Sequence, residues 1–223
     1  MQEVVGLDQT GPVGFVKLYA KVAAVAAFFF APLLALSYFA TADGAGGLET
    51  PTVSAWAEPG RELLGGLLTF TSPDQVYTRY LQLFALLFPA IVISAWTVRK
   101  LRAEPRLRLE RWGWRLALPG YALMGGGLLF VALALAIVPP SNAIVNVGYL
   151  AAVFPGLLIG TVGSTLLGIG FVRSAFRPRA TAWLLALSFP LWVVGSFVLG
   201  HNSIGLLPLF VAWAMALEHR SAA

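Results

Sequence analysis

Six stretches of this chain carry no charged side chain: residues 22–40, 81–98, 116–138, 147–172, 181–199 and 204–217. A helix needs about 20 apolar residues to cross the hydrocarbon core of a bilayer, with about 17 as the lower limit. Inside lipid the backbone has no water to bond, so a spanning stretch of this kind must be helical. Five of the runs reach that length. The sixth reaches it only if its helix also takes in the turn Gly200-His201-Asn202-Ser203. The chain therefore reads as an all-α, polytopic transmembrane helix bundle, one integral membrane domain over residues 1–223. The predicted spans are about 22–40, 81–98, 116–138, 147–172, 181–199 and 200–217, and five crossings result if the last run stays out of the bilayer.

The composition excludes the alternatives. Charged residues make up 11% of the chain and hydrophobic ones 58%, against about 25% charged in a soluble globular domain. There is no cysteine, which removes disulfides, thiolate metal sites, iron–sulfur clusters and thiol nucleophiles. The two histidines, His201 and His219, lie near the two ends of the last run. They cannot clasp a haem between facing helices. No P-loop, dinucleotide fingerprint, HExxH or GxSxG motif is present. No cofactor or metal is expected. The net charge of +5 could suggest nucleic acid. The cations fall in the connections between apolar runs, however, so the bilayer is the expected partner and nucleic acid is not.

Charge sets the orientation. With six crossings and the N-terminus inside, Lys17, Lys21, Arg99, Lys100, Arg102, Arg106, Arg108, Arg111, Arg115, Arg173, Arg177, Arg179 and Arg220 all lie inside, and only Arg61 and Arg79 lie outside. The positive-inside bias then places both termini in the cytoplasm and the chain in the plasma (inner) membrane. A competing reading takes the first run as a signal peptide cleaved near Ala40-Thr41-Ala42. The long stretch ahead of the run and the run's own length argue for a retained span.

The outer connection, residues 41–79, contains two plausible helix starts, Thr50-Pro51 and Glu58-Pro59. Its segment 61–70 is apolar enough to lie on the bilayer surface. Ser72-Pro73-Asp74-Gln75 has the pattern of a capping box and starts the second helix at Pro73. The inner connection, residues 99–115, carries Arg99, Lys100, Arg102, Arg106, Arg108, Arg111 and Arg115. Those cations either determine topology alone or contact anionic lipid headgroups at the inner leaflet.

The spans themselves hold no acid, lysine or arginine, which disfavours proton-coupled transport and voltage sensing. Ala152, Gly156, Gly160, Ser164 and Gly168 recur every fourth residue along the fourth span. In lipid such a small-residue ridge lets backbones approach closely. It is expected to pack inside the bundle, with Gly125-Gly126-Gly127 as a partner surface, or else to form a homo-oligomer face. Pro32, Pro89, Pro155 and Pro190 sit inside spans and are expected to kink them. On the outer side, His201 and Asn202 form the one polar group of interest, together with Glu58, Glu62 and Asp74 from the long loop.

Three functions fit these features. The first is a non-catalytic module that binds lipid or a membrane-protein partner. The second is a carrier for a neutral or lipid-like solute without proton coupling. The third is an outer-face enzyme pairing His201 with a loop carboxylate. A polar cavity near the proline breaks favours the second, and a pocket joining His201 to a carboxylate favours the third.

Overall fold

The protein is described here by a computed structural model covering residues 11–102, 107–139 and 142–219. Among these residues all regular secondary structure is helical, with no strand. Helix α1 (Pro12–Tyr38) leads through a 3-10 turn (Ala45–Glu49) to α2 (Pro51–Leu63) and α3 (Gly65–Leu68). Next come α4 (Pro73–Ala85), α5 (Phe88–Leu101), α6 (Arg108–Ala134) and α7 (Ala143–Gly148). A π-helical turn (Tyr149–Val153) joins α7 to α8 (Phe154–Arg173). The chain closes with α9 (Arg179–Ala186), α10 (Ser188–Phe197) and α11 (Asn202–His219).

Four segments are long and apolar enough to cross a membrane: Pro12–Tyr38, Pro73–Leu101, Arg108–Ala134 and Ala143–Arg173. The pair α9 and α10, bent by 51°, makes a fifth if counted as one span. The last helix, α11, is enclosed on nearly every side. Along its length only Val211, Glu218 and His219 are exposed. A helix wrapped by protein need not match the bilayer in length or hydropathy, which accounts for the shortness of the sixth apolar run.

The helices alternate in direction. Ser203 of α11 donates its hydroxyl to the Ala31 carbonyl of α1 at 2.9 Å, and Lys21 pairs with Glu218 at 2.7 Å. The start of α1 thus lies beside the finish of α11. Arg102 after α5 pairs with Glu110 of α6 and donates to Ser174 after α8 at 2.8 Å. The Trp114 ring of α6 lies 5.7 Å from the Trp213 ring of α11, tilted against it. One end of the bundle therefore gathers Lys17, Lys21, Arg99, Lys100, Arg102, Arg108, Arg111, Arg115, Arg173, Arg177 and Arg179. The far end has Arg61 and Arg79.

The most extensive helix pair is α6 with α8, running antiparallel. A methyl group at Gly113 would lie 2.6 Å from the Leu167 Cα, and one at Gly127 would lie 2.8 Å from the Ala152 Cβ. Between those points a methyl on Gly120 would overlap the Gly160 backbone, one on Gly156 would overlap Met124, and one on Gly163 would overlap Ala117. Each step of three or four residues along one helix is matched by the opposite step on the other. With lipid as solvent there is no water to expel between helices, so this close approach and its dispersion contacts supply the adhesion. The small-residue ridge does lie inside the bundle, but the contact face follows a three-four spacing rather than a strict four. Ser164 contacts the Tyr121 hydroxyl, and Gly168 faces Ala186 of α9. Of the glycine triplet only Gly127 meets this side of the bundle, at the π turn ahead of α8. Gly125 touches Phe88, and Gly126 has open space.

Of the four prolines expected to kink their spans, three sit at breaks. The second long segment parts at residues 86–87, where Ala90 N–H bonds to Leu87 rather than Leu86. The freed Leu86 carbonyl accepts the Tyr19 hydroxyl at 3.0 Å. At the α9–α10 bend, ahead of Pro190, the Phe189 N–H donates to the Thr165 hydroxyl of α8 at 3.2 Å. Ahead of Pro155 the helix widens into the π turn. Pro32 is carried inside α1. At the first two breaks a neighbouring hydroxyl bonds a backbone group at the break, and at the third the winding itself changes.

Several local expectations are corrected. Helix α2 begins at Pro51 and passes straight through Pro59, so Glu58-Pro59 is not a start. Pro73 does begin α4, yet Ser72 makes no side-chain cap bond, and the Gln75 side chain accepts from Thr71. The inner connection is mostly helix: α5 runs to Leu101 and α6 starts at Arg108. Arg106 and Arg220 lie outside the described residues.

Candidate functional site: a chamber at the far end

A cavity of about 60 Å³ lies inside the bundle, between α1, α4, α6, the π turn with α8, and the start of α11. Its deep part is apolar, walled by Leu34, Phe84, Met124, Leu157 and Leu206. Its far-end part is polar, formed by Tyr77, Tyr149, His201, Asn202 and Ser203. The volume matches a few water molecules or a solute of similar bulk.

Each polar group is placed by an identifiable local device. Gly200, at φ +75°, turns the chain sharply between α10 and α11, in a backbone region that glycine enters without strain. That turn presents His201, whose Nδ1 lies 2.8 Å from the Ser203 hydroxyl and 3.2 Å from the Ser203 backbone nitrogen. The imidazole packs against Tyr38 at 5.3 Å and Tyr77 at 6.5 Å.

Asn202 is the hub of the chamber. Its Oδ1 accepts from Trp192 Nε1 at 2.9 Å and from the Ser196 hydroxyl, and its Nδ2 donates to the Tyr149 hydroxyl at 3.1 Å. Tyr149 reaches it from the π turn, and such widened turns recur where a helix must re-aim a functional side chain. The side chain of Asn142 caps α7 ahead of that turn, accepting the Ile144 N–H at 2.9 Å. The Tyr77 hydroxyl lines the cavity and has no hydrogen-bond partner among the described residues.

The polar cluster expected from the sequence splits in two. His201 and Asn202 belong to the chamber. Glu58 and Glu62 line a separate, open groove with Arg61, Gly65, Thr69 and Thr71. Asp74 is exposed in the first turn of α4 and lines neither space. The structure does not bring a carboxylate into the pocket that holds His201. Among the described residues no group of three or more His, Cys, Asp or Glu could hold a metal ion. Sequence reading did not single out Tyr77 or Tyr149. Their spacing gives no local sign that they converge across four helices.

The basic end also divides. Arg102 is taken out of the lipid-contact set: its guanidinium lies 4.8 Å from the Phe171 ring and 5.0 Å from the Phe176 ring, and it bonds the fully buried Glu110. Arg99, Lys100, Arg108, Arg111 and Arg115 remain exposed. Lys100 lies over Trp96 at 5.4 Å and Arg115 over Trp112 at 5.2 Å, with both rings exposed. No known family, curated protein or solved structure matches this chain.

Proposed function

We propose that the protein is a non-catalytic integral membrane module of the plasma membrane that holds a small neutral solute in the far-end chamber, without proton coupling. The observation that carries this reading is the chamber's composition. Hydrogen-bonding groups from three parts of the fold meet at the mouth of an apolar cavity, and none of them is an acid, a lysine or an arginine. A ligand with one polar and one apolar end matches that gradient, and a charged one would lose its hydration without a counter-charge. The bilayer is crossed six times, α11 included, with both termini in the cytoplasm. This count is supported by the neighbouring ends of α1 and α11 and by the gathering of cations at one end of the bundle.

The topology is tested with single cysteines in this cysteine-free chain. Thr71 and Asn146 are exposed at the far end, and Arg177 is exposed at the basic end. Cysteines at the first two are expected to react with a membrane-impermeant maleimide on intact cells, and one at Arg177 only after lysis. Labelling of all three from one side would refute the six-crossing arrangement.

The chamber is tested by a pair of substitutions. Tyr77→Phe removes the unengaged hydroxyl and is expected to change stability by less than about 0.5 kcal/mol. Asn202→Ala strands the Trp192, Ser196 and Tyr149 partners and is expected to cost about 1–3 kcal/mol. Small molecules released by heating the purified protein are identified by mass spectrometry. A neutral compound retained by the wild type and depleted in Tyr77→Phe supports the chamber as a binding site. Equal recovery from both, or none from either, overturns it.

A further inference from the structure

We propose that the open groove beside α2 binds the headgroup of a zwitterionic phospholipid carrying a primary ammonium group. The groove, about 610 Å³, runs between α2–α3 and the start of α4. Glu58, Arg61 and Glu62 all line it. Their spacing of three and four residues puts them on one face of α2. No ion pair within 4 Å joins Arg61 to either glutamate, and no hydrogen bond engages any of the three among the described residues. One cation and two anions thus face a shared space without neutralising each other.

The segment that follows is strapped to the long helices. The Tyr80 hydroxyl donates to the Leu67 carbonyl at 2.8 Å. The Phe70 ring lies 6.3 Å from Tyr80, whose ring lies 6.4 Å from Phe30 of α1. Phe30 is about two turns short of the far end of α1. Residues 63–70 therefore lie along the flanks of two helices apolar enough to cross a membrane, while Leu63, Leu67 and Phe70 remain exposed. Exposed apolar groups there suit acyl chains, and the adjoining groove, lined by their chain neighbours Glu62, Leu68 and Thr69, suits a headgroup.

Charge selects among headgroups. A phosphate accepts from the Arg61 guanidinium, and an ammonium offers three N–H donors to the two carboxylates. A trimethylammonium has no N–H to donate, and a glycerol headgroup brings net negative charge toward two acids. The inference rests on the membrane placement proposed above, which the cysteine labelling tests separately, and it is independent of the chamber's ligand.

The protein is placed in nanodiscs holding equal parts of phosphatidylethanolamine, phosphatidylcholine and phosphatidylglycerol with identical acyl chains. Lipids still bound after release from the disc are counted by native mass spectrometry. Phosphatidylethanolamine is expected to be enriched about fivefold over the other two, the effect of roughly one well-placed charge near a headgroup. Glu58→Gln with Glu62→Gln should remove that preference while leaving the thermal midpoint unchanged, since both side chains are exposed. Arg61→Gln should lower retention of phosphatidylethanolamine as well. Equal retention of the three lipids by the wild type, a preference for phosphatidylglycerol, or a phosphatidylethanolamine preference that survives the double substitution would each overturn the proposal.

Discussion

Gly120→Ala is expected to destabilise the bundle by about 1–3 kcal/mol, and Gly120→Leu to abolish recovery of folded protein. A methyl at this position falls on the Gly160 backbone of α8, not on a side chain that can swing aside. The two helices would have to separate along their whole contact, and the dispersion gained by their close approach falls steeply with distance. Gly156→Ala and Gly163→Ala should behave alike, because each faces opposing backbone. Gly160→Ala is gentler, since its nearest neighbour is the edge of the Tyr121 ring at 3.2 Å. Gly126→Leu is the internal control: nothing lies within 4 Å of it, and it should change stability by less than about 0.5 kcal/mol. Thermal unfolding in detergent, with the alanine variants and Gly126→Leu side by side, measures the series. Equal midpoints for Gly120→Ala and Gly126→Leu would show that the α6–α8 contact is looser than described.

Arg102→Ala is expected to cost about 3–5 kcal/mol, the usual penalty for removing one partner of a buried ion pair. Glu110 is fully buried in the first turn of α6, and the Arg102 guanidinium both pairs with it and lies against two phenylalanine rings. Arg102 also ties the α5–α6 connection to Ser174 after α8. Its loss should loosen two connections together. Arg102→Lys should not restore stability, because an ammonium has neither the flat face for Phe171 and Phe176 nor the two-pronged fork for a carboxylate. The double change Arg102→Met with Glu110→Leu should recover most of the loss, since it removes both charges and fills the space. Unfolding measured on the three variants decides the matter. A stable Arg102→Ala would mean that Glu110 is held by other groups.

The pair also shows why a charge count misreads individual cations. Seven basic residues between 99 and 115 look alike in the sequence. Only the fold distinguishes Arg102, caught between α6 and α8, from Lys100 and Arg115, which lie over exposed tryptophans. The outer polar residues present the same problem. His201 and Glu58 share a side of the bundle, but a side is much broader than a hydrogen bond, and they open onto different spaces.

The apolar runs, the prolines and the charge asymmetry were enough to establish a helical bundle, its approximate segments and the segregation of its cations, because these follow from the length of a helix and the cost of exposing backbone or charge to lipid. The start of α4 at Pro73 and the burial of the small-residue ridge follow from local chemistry in the same way. The pairing of α6 with α8 through Gly113 and Gly120, the enclosure of α11, and the meeting of Tyr77, Tyr149 and Asn202 were decided by the tertiary structure alone. In an apolar solvent most helix faces are equally greasy, so hydropathy does not say which face meets which neighbour. That choice is made by steric fit and by single hydrogen bonds between residues far apart in the chain.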